Sequence, residues 1–214
     1  MGVGFKLDTN NFWDKNFGQL GKINCFLDYI EGDGASYIDT GFDGYRANWQ
    51  DVAGTIPTDV PSVEVGFYLT DANVQSYILG TMSYPQPIVY HNADPKLYIS
   101  GKGAVASNIT NFTSGENVLV YGAVTSTLNG VTIADNSGMG NQYRLNAYPD
   151  SNILLFGANY NGSGMQYGTN KITYFKAYKG ESLVLHLKPY IDQNGVVCMK
   201  DVLTETLYYK QKNE

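Results

Sequence analysis

Glu64 lies in a run of alternating polar and apolar residues, Ser62 to Leu69, which predicts a β-strand. Because alternate residues of a strand point to one face, Glu64 shares its face with position 66. A glycoside-cleaving site needs two carboxylates that flank the scissile bond, but position 66 is a glycine. The run therefore predicts no hydrolase, and we assign no catalytic residue.

The chain has few histidines and cysteines that could act in catalysis or bind a metal. His91 and His186 are the two histidines, and neither has a Ser, Cys or Asp arrangement typical of nucleophilic catalysis. Cys25 and Cys198 lie towards the two ends of the chain and lack zinc-ligand spacing. Two reduced, buried thiols are favoured, and a disulfide between the first and last strands is the alternative.

Four acidic residues cluster near the start of the chain. Calcium prefers oxygen-rich turns of this kind, but Asp and Glu beside glycine more often form the turn itself. We therefore predict no metal and no cofactor. The four residues are Asp28, Glu31, Asp33 and Asp39.

Several aromatic residues occur in polar or glycine-rich segments that read as loops. A flat ring can stack on a sugar while neighbouring Asn side chains bond its hydroxyls, so these residues are the glycan-binding candidates. The alternative is that most of the 18 tyrosines simply cover the sheets. The candidates are Trp49, Tyr84, Tyr148, Tyr160 and Tyr167.

These residues require a β framework, and strand-like runs separated by turn signals occur along most of the chain. The predicted core is Val63, Val65, Phe67, Leu69, Leu183, Leu185 and Leu187, with Glu64 and His186 on the opposite faces of their strands. Asn129-Gly130 and Asn194-Gly195 predict two-residue type I′ hairpins. Further extended runs are Val74 to Thr81, Ile88 to His91, Lys96 to Ser100, Val118 to Val124, Ile153 to Gly157 and Lys171 to Tyr178.

Residues 1–22 differ from the remainder. They scatter apolar rings among polar residues, and a cap at Asp8, Thr9 or Asn10 would allow one or two helical turns. We predict an N-terminal docking arm that orders on a partner, with a segment packed back on its own domain as the alternative. The docking candidates are Phe5, Phe12, Trp13 and Phe17.

Two segments carry a family resemblance. Tyr29 to Gly41, YIEGDGASYIDTG, reads as strand, tight turn and strand, with Gly32 and Gly34 able to supply positive φ. Thr173 to Tyr209 runs from a Phe-Lys-x-Tyr strand through Pro189 and an Asn-Gly hairpin to a final aromatic pair. Both resemble concanavalin A-like, laminin-G-like domains found in tailed-phage virion proteins and gut bacterial surface proteins.

The resemblance covers residues 23–214 and implies an all-β fold. The fold it implies is an antiparallel two-sheet jelly-roll sandwich of the concanavalin A-like lectin/glucanase type. With the arm at 1–22, we expect a single lectin-like domain. The length of 214 residues is enough for one such domain with its own core.

Charge and composition exclude other classes. The net charge is −6 and the pI is about 4.8, so the chain lacks the basic footprint that nucleic acid requires. No apolar stretch approaches the ~20 residues of a membrane helix. The N-terminus also has no basic segment followed by an apolar one, so we expect release by lysis or delivery within a particle.

The resulting expectation is a non-enzymatic structural component of a tailed-phage virion, of the capsid decoration or head-fibre type, assembled in the host bacterial cytoplasm. Its expected partners are other virion proteins through the arm and host or mucosal glycans, and self-association is left open. The alternatives are a carbohydrate-binding adhesin of a gut bacterium, a phage tail receptor-binding protein or a glycan-cleaving enzyme.

Overall fold

A computed structural model describes residues 24–43, 61–71, 75–81, 88–91, 97–101, 104–109, 112–122, 125–135, 152–159 and 165–212. Within these ranges the chain is all-β, with no helix and therefore none that could span a membrane. Every strand pairing is antiparallel, in agreement with the sequence prediction. The docking-arm prediction, residues 1–22, lies outside the described residues.

The described residues form nineteen strands. In chain order these are β1 (Cys25–Phe26), β2 (Ile30–Glu31), β3 (Tyr37–Asp39), β4 (Pro61–Tyr68), β5 (Ser76–Thr81), β6 (Ile88–His91), β7 (Leu97–Gly101), β8 (Ala104–Ile109), β9 (Asn117–Tyr121), β10 (Thr125–Leu128), β11 (Val131–Asp135), β12 (Ile153–Leu155), β13 (Gly157–Asn159), β14 (Met165–Tyr167), β15 (Lys171–Lys179), β16 (Ser182–Ile191), β17 (Val197–Asp201), β18 (Leu207–Tyr208) and β19 (Lys210–Gln211).

Two sheets contain most of these strands, a ten-stranded one that we call the large sheet and a seven-stranded one that we call the small sheet. The large sheet runs β11-β10-β9-β4-β15-β16-β17-β18 and also holds β1 and β2. The small sheet runs β19-β3-β12-β5-β6-β7-β8, and β13 and β14 form a separate pair. One apolar core joins residues of both sheets, for example Val65 and Phe175 with Ile78 and Leu155. This arrangement is consistent with a β-sandwich.

The core prediction is confirmed for most of its residues. Val63, Val65, Phe67 and Leu187 are fully buried, and Leu185 is 6% exposed. Leu69 is half-buried and packs against the core. Alternation on β4 and β16 thus places these side chains inward, and Glu64 and His186 are half-buried on the opposite faces of their strands.

Leu183 contradicts the core prediction, because it is 36% exposed. The pairing of β15 with β16 shifts between Ala177 and Tyr178, so that Leu183 faces Tyr178 rather than continuing the buried row. The extra residue is Val184 in β16 itself, and a β-bulge of this kind interrupts the side-chain alternation of the strand that carries it. The alternation of Leu183 with Leu185 therefore gave the wrong face for Leu183.

The predicted turns occur at the expected positions, but only one of the two Asn-Gly turns has the predicted type. Asn129 and Gly130 both have positive φ, as the type I′ prediction requires. At the second hairpin Gly195 alone has positive φ, because the Asp192 carboxylate accepts the Asn194 and Val196 amides and holds a wider turn. In the first turn Gly34 has positive φ, whereas Gly32 lies against the Gly168 carbonyl.

Phe156 interrupts the predicted strand Ile153 to Gly157. Its φ is 64° and its side chain is fully buried. The bend separates β12, which pairs with β3 and β5, from β13, which pairs with β14. A left-handed conformation at a bulky residue costs about 1–2 kcal/mol, and here it lets one chain segment serve two sheets.

The first strands fill a fork in the large sheet. β15 and β16 pair from Lys179 and Ser182 to Phe175 and Leu187, and beyond that point each has another partner. β1 pairs with the end of β16, and β2 pairs with the start of β15. We call Cys25–Glu31 the wedge. The large sheet is therefore closed at this end by the start of the domain.

The two cysteines are free thiols, as favoured by the sequence. Cys25 is half-buried on β1, and Cys198 is fully buried on β17. Burial, with a contribution from Asp192, raises the pKa of Cys198 to about 11. A thiol with that pKa is protonated at neutral pH and is a poor nucleophile.

Asp201 provides the first test of the fold. Its side chain is buried and accepts the His186 and Leu203 amides and the Thr204 hydroxyl. Asp201→Ala should lower the free energy of unfolding by about 2–3 kcal/mol, since buried donors lose a charged acceptor. Urea denaturation at neutral pH measures this, with exposed Asp28→Ala as the control.

The pH dependence of that loss has a definite sign. Burial alone would raise the pKa of Asp201, but bonds from Thr204 and from the His186 and Leu203 amides lower it below its ordinary value. The stabilisation is thus present above about pH 4 and disappears as the carboxylate protonates at lower pH. A change within about 0.5 kcal/mol for Asp201→Ala would contradict this role.

Candidate functional site

The outer face of the large sheet is the face opposite the core. Glu64, Lys176 and His186 are neighbours in one row across β4, β15 and β16. The Lys176 ammonium lies 2.8 Å from a Glu64 carboxylate oxygen and 4.8 Å from the centre of the Tyr174 ring. The Glu64 carboxylate is therefore held in an ion pair by the neighbouring strand.

Position 66 is occupied by the ring of Tyr174. A Cβ placed on Gly66 would lie 2.3 Å from the Thr173 hydroxyl and 2.5 Å from that ring. Tyr174 lies beside Gly66 on the neighbouring strand, so the two residues share the outer face. With Tyr174 in this place, no carboxylate fits beside Glu64 at position 66.

The surroundings of His186 favour its neutral form. Burial lowers its pKa, and the nearby Lys176 and Lys188 lower it further against the opposing effects of Asp201 and Glu64. Its Nε2 atom is buried and has no hydrogen-bond partner among the described residues. The lowered pKa keeps the imidazole neutral at neutral pH.

A first recess lies on one side of the wedge, and we call it the Tyr29 recess. Its volume is about 590 Å³. The lysine ammonium of Lys171 lies 4.6 Å from the centre of the Tyr29 ring, and the Thr173 hydroxyl bonds to Glu116. The recess is lined by Asp28, Tyr29, Tyr68, Leu69, Thr70, Ser114, Glu116, Lys171 and Thr173.

A second recess lies at the other side of the wedge, where β16, β17 and β18 end, and we call it the Tyr209 recess. Its volume is about 210 Å³. The start of the described chain, Asn24, contributes to its wall. The recess is lined by Asn24, Tyr190, Asp192, Gln193, Asn194, Lys200, Glu205, Leu207 and Tyr209.

Asp192 holds the Tyr209 recess in shape. One carboxylate oxygen accepts the Asn194 and Val196 amides, and the other accepts the Tyr209 hydroxyl at 2.9 Å. The bond from the Val196 amide is foremost in lowering the pKa of Asp192, and the bond to Asp192 raises the pKa of Tyr209. Tyr209 thus keeps its proton and its orientation at neutral pH, while the residue is 40% exposed.

Lys200 lies beside the aromatic rings of Tyr190 and Phe26. Its ammonium is paired with Glu205 and lies 4.9 Å from the centre of the Tyr190 ring and 5.8 Å from that of Phe26. Phe26 and Tyr190 meet edge to face at 5.2 Å. The pair with Glu205 raises the pKa of Lys200, so the lysine stays charged.

Of the predicted glycan-binding aromatics, only Tyr167 lies in the described part of the chain. It is half-buried on β14, and it lines neither recess. Trp49, Tyr84, Tyr148 and Tyr160 lie outside the described residues. The predicted docking residues Phe5, Phe12, Trp13 and Phe17 also lie outside them, so all these assignments stay predictions.

Two members of the acidic cluster, Asp33 and Asp39, accept backbone amides two or three residues further on. Asp33 accepts the Ala35 and Ser36 amides, and Asp39 accepts the Gly41 amide and the Asn152 side chain. Hydrogen bonds from Ser36 and Ala35 lower the pKa of Asp33 against the opposing effect of burial. Over the described ranges no three His, Cys, Asp or Glu side chains are placed to hold one metal ion.

Sequence reasoning missed both recesses. Each collects residues from segments far apart in the chain, such as Asn24 and Tyr209, so spacing along the sequence does not indicate them. One local signal did exist. Asp192 precedes Asn194-Gly195 in a hairpin loop, where an aspartate side chain commonly bonds the following amides.

Comparison with known proteins adds no relative. No protein-family model matches this chain, and a search of curated proteins also finds no match. The resemblance to concanavalin A-like domains therefore rests on the motifs of the sequence.

The packing at Gly66 gives the second prediction. Gly66→Ala should destabilise the fold by about 1–3 kcal/mol, because the new methyl group overlaps Tyr174 and Thr173. Combining it with Tyr174→Ala should recover part of that loss, and a double-mutant cycle from denaturant unfolding measures the coupling. Additive effects of the two substitutions would show that Tyr174 does not close this position.

Proposed function

We propose that this chain is a non-enzymatic structural component of a tailed-phage virion, of the capsid decoration or head-fibre type. In this proposal residues 1–22 attach it to the particle, and a concanavalin A-like jelly-roll sandwich is displayed and adheres to glycans. The motifs at Tyr29–Gly41 and Thr173–Tyr209 support the phage context, and the all-β architecture is compatible with that class.

The observation that carries the non-enzymatic part is the outer face around Glu64. Retaining and inverting glycosidases both need two carboxylates, one on each side of the bond. Here Glu64 is bound to Lys176, and the ring of Tyr174 covers Gly66. These contacts favour a face that is structural over one that performs hydrolysis.

The main alternative is a carbohydrate-binding adhesin of a gut bacterium or a phage tail receptor-binding protein. Glycan adhesion suits all three classes, so a glycan-binding recess would not distinguish among them. The three classes of protein differ in what the chain is attached to. Measuring attachment to particles therefore distinguishes them.

Deleting residues 1–22 should leave a folded sandwich, because residues 24–212 already supply the paired strands of both sheets and an apolar core shared between them. We expect the truncated protein to have the near-ultraviolet and β-type circular dichroism of the full chain and to lose its association with particles. Particles lacking this protein are mixed with equal amounts of both forms and purified, and each form is quantified. Equal incorporation would place attachment on the sandwich and contradict the proposed arm.

Glu64→Gln should leave every measured property except local stability unchanged. The substitution removes the ion pair with Lys176, which is about one-fifth to one-quarter exposed on both sides, so a loss of about 1 kcal/mol or less is expected. Reducing-sugar release from β-glucans should equal the buffer background for both proteins. Reproducible release that disappears in Glu64→Gln would overturn the non-enzymatic assignment.

A further inference from the structure

The two recesses differ in whether their polar groups are already engaged in contacts within the protein. In the Tyr29 recess the Thr173 hydroxyl is bonded to Glu116 and the Thr70 hydroxyl to the Thr169 carbonyl. The ammonium of Lys171 covers a face of the Tyr29 ring. Two hydroxyls and the ammonium of this recess are thus already engaged, and a ligand that used them would have to displace existing contacts.

The Tyr209 recess presents an aromatic ring that is both fixed and accessible. The Tyr209 hydroxyl is held by Asp192, which is itself held by two backbone amides, yet the residue is 40% exposed. The ring therefore loses little freedom when a ligand stacks on it. Such preorganisation lowers the entropy cost of binding.

Two amide side chains line the same recess as this ring. Asn24 and Gln193 are exposed at the recess and each offers a carbonyl acceptor and an NH₂ donor. Paired donors and acceptors of this kind match the vicinal hydroxyls of a sugar. The volume of about 210 Å³ equals the space of about seven water molecules, which suits one sugar ring better than a peptide segment.

Charge narrows the ligand class further. Asp192 and Glu205 contribute two negative charges and Lys200 one positive charge, so the recess carries a net charge of −1. An anionic ligand would be repelled by that negative charge. A cationic ligand would compete with Lys200, whose side chain is 14% exposed and already lies over the Tyr190 and Phe26 rings. A neutral ligand meets neither obstacle.

We propose that the Tyr209 recess binds one neutral hexose, the terminal unit of a glycan, stacked on the Tyr209 ring and hydrogen-bonded by Gln193 and Asn24. This inference rests on the glycan-adhesion part of the proposed function. It assigns the sugar to residues outside the predicted loop aromatics, and it states that the sugar carries no charge.

The test is a titration of the isotope-labelled full chain with methyl hexosides, followed by chemical-shift changes. The panel contains neutral glucose, galactose, mannose and N-acetylglucosamine glycosides and the charged glycosides of glucuronic acid and sialic acid. At least one neutral glycoside should bind saturably and more tightly than either charged one. Tyr209→Ala should weaken it about two- to tenfold, since the stacked ring is lost.

Three further variants make the result specific. Tyr209→Phe keeps the ring and loses its bond to Asp192, so it should weaken binding less than Tyr209→Ala. Gln193→Ala removes an exposed amide without touching the core and should also weaken binding. Tyr29→Ala, the matched change in the other recess, should leave the affinity unchanged.

The inference is overturned if no neutral glycoside binds, if a charged one binds more tightly, or if Tyr29→Ala weakens binding more than Tyr209→Ala and Gln193→Ala do. Particle incorporation of Tyr209→Ala is measured in parallel and should equal that of the unaltered chain. Loss of hexose binding with normal incorporation supports the recess. Loss of incorporation would make the recess a docking contact and would also overturn the inference.

Discussion

The pairing of the two chain ends with the body of the domain is the constraint on which the described structure depends. The wedge Cys25–Glu31 fills the fork between β15 and β16, and the last strands cross from one sheet to the other. β18 pairs with β17 in the large sheet, and β19 pairs with β3 in the small one. The Lys210 ammonium donates to the Glu31 carbonyl at 2.7 Å, which joins the two ends directly. Without these pairings the edges of β15, β16 and β3 would expose unpaired backbone groups.

The recesses are consequences of this closure. The strands of the wedge, β1 and β2, are two residues each, and a depression lies on each side of the wedge, one beside Tyr29 and one beside Asn24. Two lysines of the large sheet lie over the wedge aromatics, Lys171 of β15 over Tyr29 and Lys200 of β17 over Phe26. The same contacts that hold the wedge therefore set the electrostatics of both recesses. In the Tyr209 recess they leave a fixed ring, exposed amides and a small net charge.

Alternation along single strands was enough to predict the core of β4 and β16, because burial there follows a period of two. It failed at Leu183, where a β-bulge at Val184 in the same strand interrupts the alternation, and at Phe156, where the chain bends between two sheets. Neither feature shows in the alternation of apolar residues, because each depends on how the strand pairs with its neighbours. The Asn129-Gly130 turn was predictable in type because its two residues determine φ locally, whereas the turn at Asn194-Gly195 is reshaped by the side chain of Asp192.

The site was less predictable than the fold for the same reason. Gly66 could be read from the sequence as a missing carboxylate, but the ring of Tyr174 that covers it lies more than one hundred residues away in the chain. Tyr209 is one of 18 tyrosines, and nothing in its neighbours marks it as exposed and fixed. Its partner Asp192 is brought to it by β16 and β18, on either side of β17.

We propose that this chain is a structural component of a virion. The most direct measurement is quantitative mass spectrometry across a density gradient of tailed-phage particles from a lysate that contains this protein. The account predicts that its peptides co-sediment with the major capsid protein at a constant ratio through the particle peak and after a second purification. Peptides confined to the soluble fractions, or a ratio that falls with each purification, would contradict it.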